Sequence, residues 1–100
     1  MGNAKVTVTV TCKAKGGLET RLKEVLTALI NPSRAEDGCI DYYMHQSLSD
    51  PQVFLLYMNW RDEGAFGRHV QSPHVKEFDD RPAAALLAEP YPLTRWRHLG

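Results

Sequence analysis

Hydrophobic and polar residues alternate strictly near the start of the chain. Val6, Val8 and Val10 lie on one side of residues 4–14, and threonines occupy the positions between them. A period of two in β-branched residues predicts a half-buried strand. The glycines at 16–17 are expected to end it, because paired glycines favour turns.

The pattern then changes to the period of a helix. Apolar residues recur three or four positions apart over 18–29, which is the stripe of an amphipathic helix. The members of this stripe are Leu18, Leu22, Val25, Leu26 and Leu29. The residue before a proline is pushed out of the helical region. We therefore expect the helix to end at Asn31 and Pro32.

Two further strands are predicted in the middle of the chain. Residues 39–45 alternate, with Ile40, Tyr42 and Met44 on one face, and a short turn separates them from a third strand over 52–60. The connection is short enough for a hairpin. Both faces of the third strand are largely apolar, so we expect it to be covered on both sides.

Helix and strand signals complete the chain. Asp62 can cap a helix over about 63–70, and Ser72 followed by Pro73 predicts another helix start. A last strand alternates over 91–98. The order β-α-β-β-α-β predicts an α+β, ferredoxin-like fold with helices on one face of a four-stranded antiparallel sheet. We expect a second copy of the chain to cover the other face, as a homodimer.

Composition narrows the classes of function. Lys and Arg number 12, as do Asp and Glu, so the basic footprint of a nucleic-acid-binding protein is missing. Neither a signal-peptide core nor a run of about 18 apolar residues for a membrane span is found. Cys12 and Cys39 have no CxxC or metal spacing. We therefore expect one cytoplasmic domain over 1–100 that binds neither nucleic acid nor membrane.

Almost the whole chain, and residues 32–78 most specifically, resembles a known family. The resemblance lies in the run GCIxY over 38–42 and the run YMNWRDExAFxxHxxSPHV over 57–75. Both look like the antibiotic biosynthesis monooxygenase domain family, which consists of small dimeric α+β barrel proteins. The resemblance implies an enzyme without a cofactor that oxidises a planar aromatic, a quinol or polyketide-like phenol, with dioxygen. Met58 stands where the family usually has an acidic residue, so we expect no carboxylate-dependent step there.

Six residues are candidates for the site. The ordinary pKa of His69, about 6.5, suits a general base, although the ring could simply hold helix to sheet. Asn59 could hydrogen-bond a substrate oxygen or lie in the dimer contact. Trp60 could stack on a flat substrate or belong to the core. Substrate contacts are predicted for Tyr42, Tyr57 and His74.

No metal site is predicted, because His45 and His98 have no cysteine or carboxylate at ligand spacing. Three functions remain open at this point. The first is the cofactor-free monooxygenase, with His69, Asn59 and Trp60 as its catalytic residues. The second is a haem-binding or haem-degrading relative. The third is a dimeric module that binds a small hydrophobic molecule without turnover.

Overall fold

The fold combines one sheet with five helices in residues 5–100, which are the residues that the computed structural model describes. The elements are β1 (Val6–Lys13), α1 (Glu19–Thr27), α2 (Ile30–Arg34), β2 (Cys39–Gln46), β3 (Val53–Trp60), α3 (Glu63–Val70), α4 (Pro73–Asp80), α5 (Pro82–Leu86) and β4 (Leu93–Arg97). The strands are antiparallel in the order β2-β3-β1-β4. The predicted ferredoxin-like α+β fold is confirmed. Ala4, where the predicted first strand begins, lies outside the described residues.

The hydrophobic core lies between the helices and one face of the sheet. Alternate residues of β1 and β3 and the apolar stripe of α1 form it, including Val8, Cys12, Leu22, Leu26, Phe54, Met58 and Trp60. Full burial of one such apolar side chain contributes about 1.5–3 kcal/mol. The apolar residues that recur with the strand period and those that recur with the helix period therefore pack together in one core layer. Within residues 5–100, no helix is long and apolar enough to cross a membrane.

The second face of the sheet, which we call the open face, carries large apolar side chains that are partly exposed. Tyr43 is 48% exposed, Leu55 37% and Trp96 53%. The register places Tyr43 opposite Tyr57 and Trp96 opposite Thr7, so these residues share one surface. The two-sided apolar character predicted for the third strand is thus present in β3.

The predicted end of the first helix is wrong. α1 ends at Thr27, and Asn31 and Pro32 lie inside the separate short helix α2, which begins at Ile30. The first-turn residues of a helix have no intrahelical acceptor for their N–H groups. Proline, which lacks that N–H, is therefore tolerated there, and it does not stop α2.

The predicted alternation of the second strand is wrong at its first residues. β2 pairs with β3 through a register shift, so that Cys39 lies opposite Trp60 while Asp41 lies opposite Asn59. An extra residue of this kind, a β-bulge, interrupts the alternation of faces. Ile40 is consequently 50% exposed, and Cys39 packs against the core instead.

The turn before β2 lies very close to α3. Gly38 has φ +91°, and a Cβ atom built on it would be 2.5 Å from the Cβ of Ala65. The backbone N–H of Arg61 also donates to the carbonyl of Gly38 at 2.7 Å. Glycine alone combines this backbone conformation with so close an approach. The contact brings the turn, and Glu36 within it, next to α3.

Candidate active site

Three side chains from separate parts of the chain meet at one carboxylate oxygen. Nδ1 of His69 lies 2.8 Å from Oε2 of Glu36, and Nε2 of His74 lies 2.6 Å from the same atom. A carboxylate oxygen can only accept, so both ring N–H groups donate to it. Glu36 belongs to the turn before β2, His69 to α3 and His74 to α4. We call these residues the Glu36–His69–His74 cluster.

The ends of α3 fix the position of both histidines. The side chain of Asp62 caps the helix by accepting the N–H of Ala65 at 2.9 Å, and this bond lowers the pKa of Asp62. At the other end the hydroxyl of Ser72 donates to the carbonyl of His69 at 2.6 Å. Ser72 was predicted to cap α4 and does occupy its N-cap position, but its side chain makes no cap hydrogen bond. It tightens the turn that carries His74 back towards His69.

The ring of His69 is enclosed by aromatic side chains. Its centroid lies 4.6 Å from that of Trp60, 5.9 Å from Tyr42 and 6.1 Å from Phe66. Burial lowers the pKa of His69, and the hydrogen bond that Nδ1 donates to Glu36 opposes this in part. The imidazole is therefore neutral near pH 7, with its proton on Nδ1. Nε2 makes no hydrogen bond within residues 5–100 and keeps its lone pair.

A cavity of about 140 Å³ lies beside His69, between the sheet and the helices. Most of its walls are apolar, with Met58, Phe66 and Phe78 among them. Tyr42 contributes one of the few polar groups. Burial raises the pKa of Tyr42 to about 12, so its hydroxyl remains protonated at neutral pH. The cavity thus combines mostly apolar walls with the imidazole of His69, the tyrosines Tyr42 and Tyr91 and the carboxylate of Asp79.

The six predicted site residues divide between the two sides of the sheet. The helix side holds His69, Trp60, Tyr42 and His74, and the open face holds Asn59 and Tyr57. Trp60 is completely buried, and it packs on the ring of His69 rather than lining the cavity. The structure therefore brings four of the six together and separates the other two from them.

Asn59 is held by a hydrogen-bond network on the open face. Its Oδ1 accepts from the hydroxyl of Thr7, and its Nδ2 donates to Asp41 at 2.9 Å and to the hydroxyl of Tyr57 at 3.1 Å. These bonds explain how an amide is tolerated in a strand. They also keep Asn59 and Tyr57 on the opposite side of the sheet from His69, so a joint role with His69 stays a prediction.

Sequence reasoning did not single out Glu36, Asp79 or Tyr91. Glu36 is separated from His69 and His74 by 33 and 38 positions, which no spacing rule connects. Asp79 and Tyr91 line the cavity and are joined by a hydrogen bond from the Tyr91 hydroxyl. The single local signal for Glu36 was its place two residues before the glycine of a turn.

Comparison with known proteins identifies the family. The family model described as "Antibiotic biosynthesis monooxygenase" matches residues 5–81. The protein named "Putative monooxygenase Rv0793", from Mycobacterium tuberculosis, is 36% identical over 76 residues, which cover 69% of this chain and 74% of that protein. The chain belongs to the antibiotic biosynthesis monooxygenase family, and the resemblance seen in its sequence is confirmed. Monooxygenase is the general function that these similarities support.

Solved structures agree with this assignment. PA3566 from Pseudomonas aeruginosa has a TM-score of 0.90 and 34% identity, and the match covers 97% of this chain and 96% of that one. The structure of Rv0793 has a TM-score of 0.91 and 28% identity, with 97% of each chain covered. A third relative, "Uncharacterized protein sll1783" from Synechocystis, is 38% identical over 61 residues, or 61% of this chain. The match spans 41% of that longer protein.

Proposed function

We propose that the protein is a monooxygenase without a resident cofactor that oxidises a small, electron-rich phenol to a quinone. The observation that carries this proposal is the hydrogen bond between Glu36 and Nδ1 of the buried His69, on the wall of an apolar cavity. A neutral imidazole whose second nitrogen is free can accept a phenolic proton. Dioxygen is the second substrate.

The reaction that we propose converts a phenol and dioxygen into a quinone and water. Nε2 of His69 removes the phenolic proton, and the phenolate passes one electron to dioxygen. The ring radical and superoxide then join at the para carbon, and the product takes up a proton to become a hydroperoxide. Loss of the para C–H proton and cleavage of the O–O bond release water and leave the quinone. The phenol supplies all the electrons that reduce dioxygen, so the reaction needs no further reductant.

Glu36 acts as a positioning residue in this scheme. By accepting from Nδ1, it holds the ring in the tautomer that presents Nε2 as the base, and its charge stabilises the imidazolium that forms. The ring of Trp60, which is tilted by 36° and lies 4.6 Å from the imidazole, packs on it and restricts its rotation. Trp60 thus takes part through His69 and not through contact with substrate.

The cavity limits the size of the substrate. A cavity of about 150 Å³ accommodates benzene, and the cavity beside His69 measures about 140 Å³. This favours a phenol with one ring over a tricyclic polyketide and over haem. The hydroxyl of Tyr42 can donate to the phenolate oxygen as its charge develops.

We also propose that the protein forms a homodimer through the open face. Tyr43, Leu55 and Trp96 expose apolar surface there, around the network centred on Asn59. Monomeric proteins rarely expose apolar patches of more than a few hundred Å². A two-fold contact would bring the same surface of each copy together. Asn59 would then lie at the subunit contact, one of the two places expected for it.

Oxygen uptake tests the proposed reaction directly. A panel of one-ring phenols and hydroquinones is compared with tricyclic anthrones, and the quinone product is identified by its absorption. We expect turnover of a one-ring substrate, and we expect His69→Gln to lower kcat by about 10²- to 10⁴-fold, the usual contribution of a general base. Glu36→Gln should lower kcat by a smaller factor and leave KM nearly unchanged.

The matched control is His98→Gln, which replaces an exposed histidine far along the chain from the cluster. It should retain wild-type oxygen uptake. Full activity of the folded His69→Gln variant would contradict the role of the base. A wild-type enzyme that oxidises only the anthrones would contradict the limit on substrate size.

A further inference from the structure

The Glu36–His69–His74 cluster has the donor set of a transition-metal site. Its ligand atoms, two imidazole nitrogens and a carboxylate oxygen, all lie within 4.8 Å of one another. Two histidines and one carboxylate are a recurrent set for iron and zinc, whereas magnesium and calcium prefer oxygen ligands. Nothing in the proposed oxygenation requires His74 to join this group.

We propose that the cluster binds one divalent transition-metal ion, of the Zn²⁺ or Co²⁺ type, and that the bound ion removes the base from His69. The first half of this proposal goes beyond the proposed function and is independent of it. The second half rests on the proposed function, because it concerns the same nitrogen.

The observed separations are close to those that a metal ion needs. Two donors bound at about 2.1 Å in tetrahedral geometry lie about 3.4 Å apart. The two nitrogen–oxygen separations are 2.8 Å for His69 and 2.6 Å for His74. Lengthening the two separations by about 0.6 and about 0.8 Å, within reach of small side-chain rotations, therefore admits an ion. Three protein ligands leave a further position for water.

The surroundings of the cluster also suit an ion. The side chains of His69, Glu36 and His74 are only 6%, 16% and 21% exposed, so little water competes for the donors. Packing of Trp60 on His69 holds one ligand in place before an ion arrives.

A surface groove gives access to the cluster from solvent. His74 lines this groove together with Glu24, Glu77 and Arg21. Two carboxylates and one guanidinium leave the groove with a net negative charge, which favours the approach of a cation. An ion can thus reach the exposed edge of His74 first and then the buried edge of His69.

Metal binding and base catalysis exclude each other at His69. A neutral imidazole carries one proton, which lies on Nδ1 while Glu36 accepts it. An ion bound to Nδ1 takes that position, and the proton moves through solvent to Nε2. The ring remains neutral, but the lone pair that would accept the phenolic proton is gone. The ion therefore inhibits the enzyme.

The binding half is tested with untagged protein from which metal has been removed by a chelator. Co²⁺ is titrated while visible absorption is followed, and Zn²⁺ is titrated by calorimetry. We expect one ion per chain. Replacing an outer-shell partner typically costs about 10- to 100-fold in metal affinity. His74→Gln, which removes a direct ligand, should cost at least that, and His98→Gln should bind like the wild type.

The exclusion half is tested by imidazole nitrogen NMR shifts, which report the tautomer without any substrate. Zn²⁺ should convert His69 from the Nδ1–H to the Nε2–H form, and it should inhibit oxygen uptake by the wild type but not by His74→Gln. Absence of binding, or equal affinity in the wild type and the folded His74→Gln variant, overturns the site. An unchanged tautomer at saturating Zn²⁺ overturns the exclusion. Both readouts stand even if no phenol is oxidised.

Discussion

Burial decides what a single residue such as His69 can do. An exposed histidine has a pKa of about 6.5, so near neutral pH it is a mixture of the protonated and the neutral form. His69 is only 4% exposed, so burial lowers its pKa and keeps it neutral. The hydrogen bond with Glu36 then selects which nitrogen carries the proton. The contact with the carboxylate of Glu36 thus makes His69, a ring that could simply connect helix and sheet, a candidate base.

At the same scale, the packing of Trp60 is open to a direct test. Trp60 is completely buried between His69 and Phe66. We expect Trp60→Ala to lower the free energy of unfolding by about 3–5 kcal/mol, because it removes a large core side chain and leaves a cavity. Urea denaturation measures this, with Trp60→Phe as the control that keeps an aromatic ring and should cost less. A loss below about 1 kcal/mol for Trp60→Ala would contradict its place in the core.

At the scale of elements, the contact between the turn before β2 and α3 creates the site. Gly38 allows the turn to approach Ala65, and Asp62 fixes where α3 begins. Because of these two contacts, Glu36 lies within hydrogen-bond distance of His69. Local sequence determines that the turn and α3 form. The close packing of the turn on α3 determines that Glu36 and His69 form a hydrogen-bonded pair.

Two glycines of similar conformation make this packing measurable. Gly38 and Gly17 have φ values of +91° and +87°, but only at Gly38 would a Cβ meet a neighbour, the side chain of Ala65. Both alanine variants should lose about 1–3 kcal/mol of stability from backbone strain. Gly38→Ala should lose about 1–3 kcal/mol more, because it also overpacks the contact with α3. Equal losses in urea denaturation would show that the turn is not tightly packed.

At the scale of the whole molecule, the sheet divides two kinds of surface. One side is closed by helices and contains the cavity, and the open face carries Tyr43, Leu55 and Trp96. The antiparallel register determines which residues share each side. Because the helices cover only one face of the four-stranded sheet, another partner can cover the second face. We propose that this partner is a second copy of the chain.

Sedimentation velocity tests this dimer. We expect the wild type to be dimeric and Leu55→Asp to be monomeric, because the substitution places two carboxylates in an apolar contact without partners. Leu48→Asp is the matched control, since Leu48 is fully exposed in the turn between β2 and β3 and lies outside the open face. A monomeric wild type, or a dimer that survives Leu55→Asp, would contradict the proposed contact.

Most of the fold was accessible from local patterns, and most of the site was not. The valines of β1 and the cap at Asp62 predicted their elements correctly, because each depends on residues that are neighbours in the chain. The bulge at Ile40 and the helix through Pro32 were missed. Both features depend on how the surrounding chain packs, and the conformational propensities of single residues do not contain that information.

The sequence by itself determined the order of the strands and, outside the bulge at Ile40, the face on which the apolar residues of the strands lie, because side chains alternate with a fixed period in strands. It also determined that the neighbours Asn59 and Trp60 point to opposite sides of a strand. Only the tertiary structure decided that Glu36, His69 and His74 meet at one oxygen atom. Glu36 is 33 positions from His69 and 38 from His74 in the chain. The three side chains come into contact only when the turn, α3 and α4 pack together.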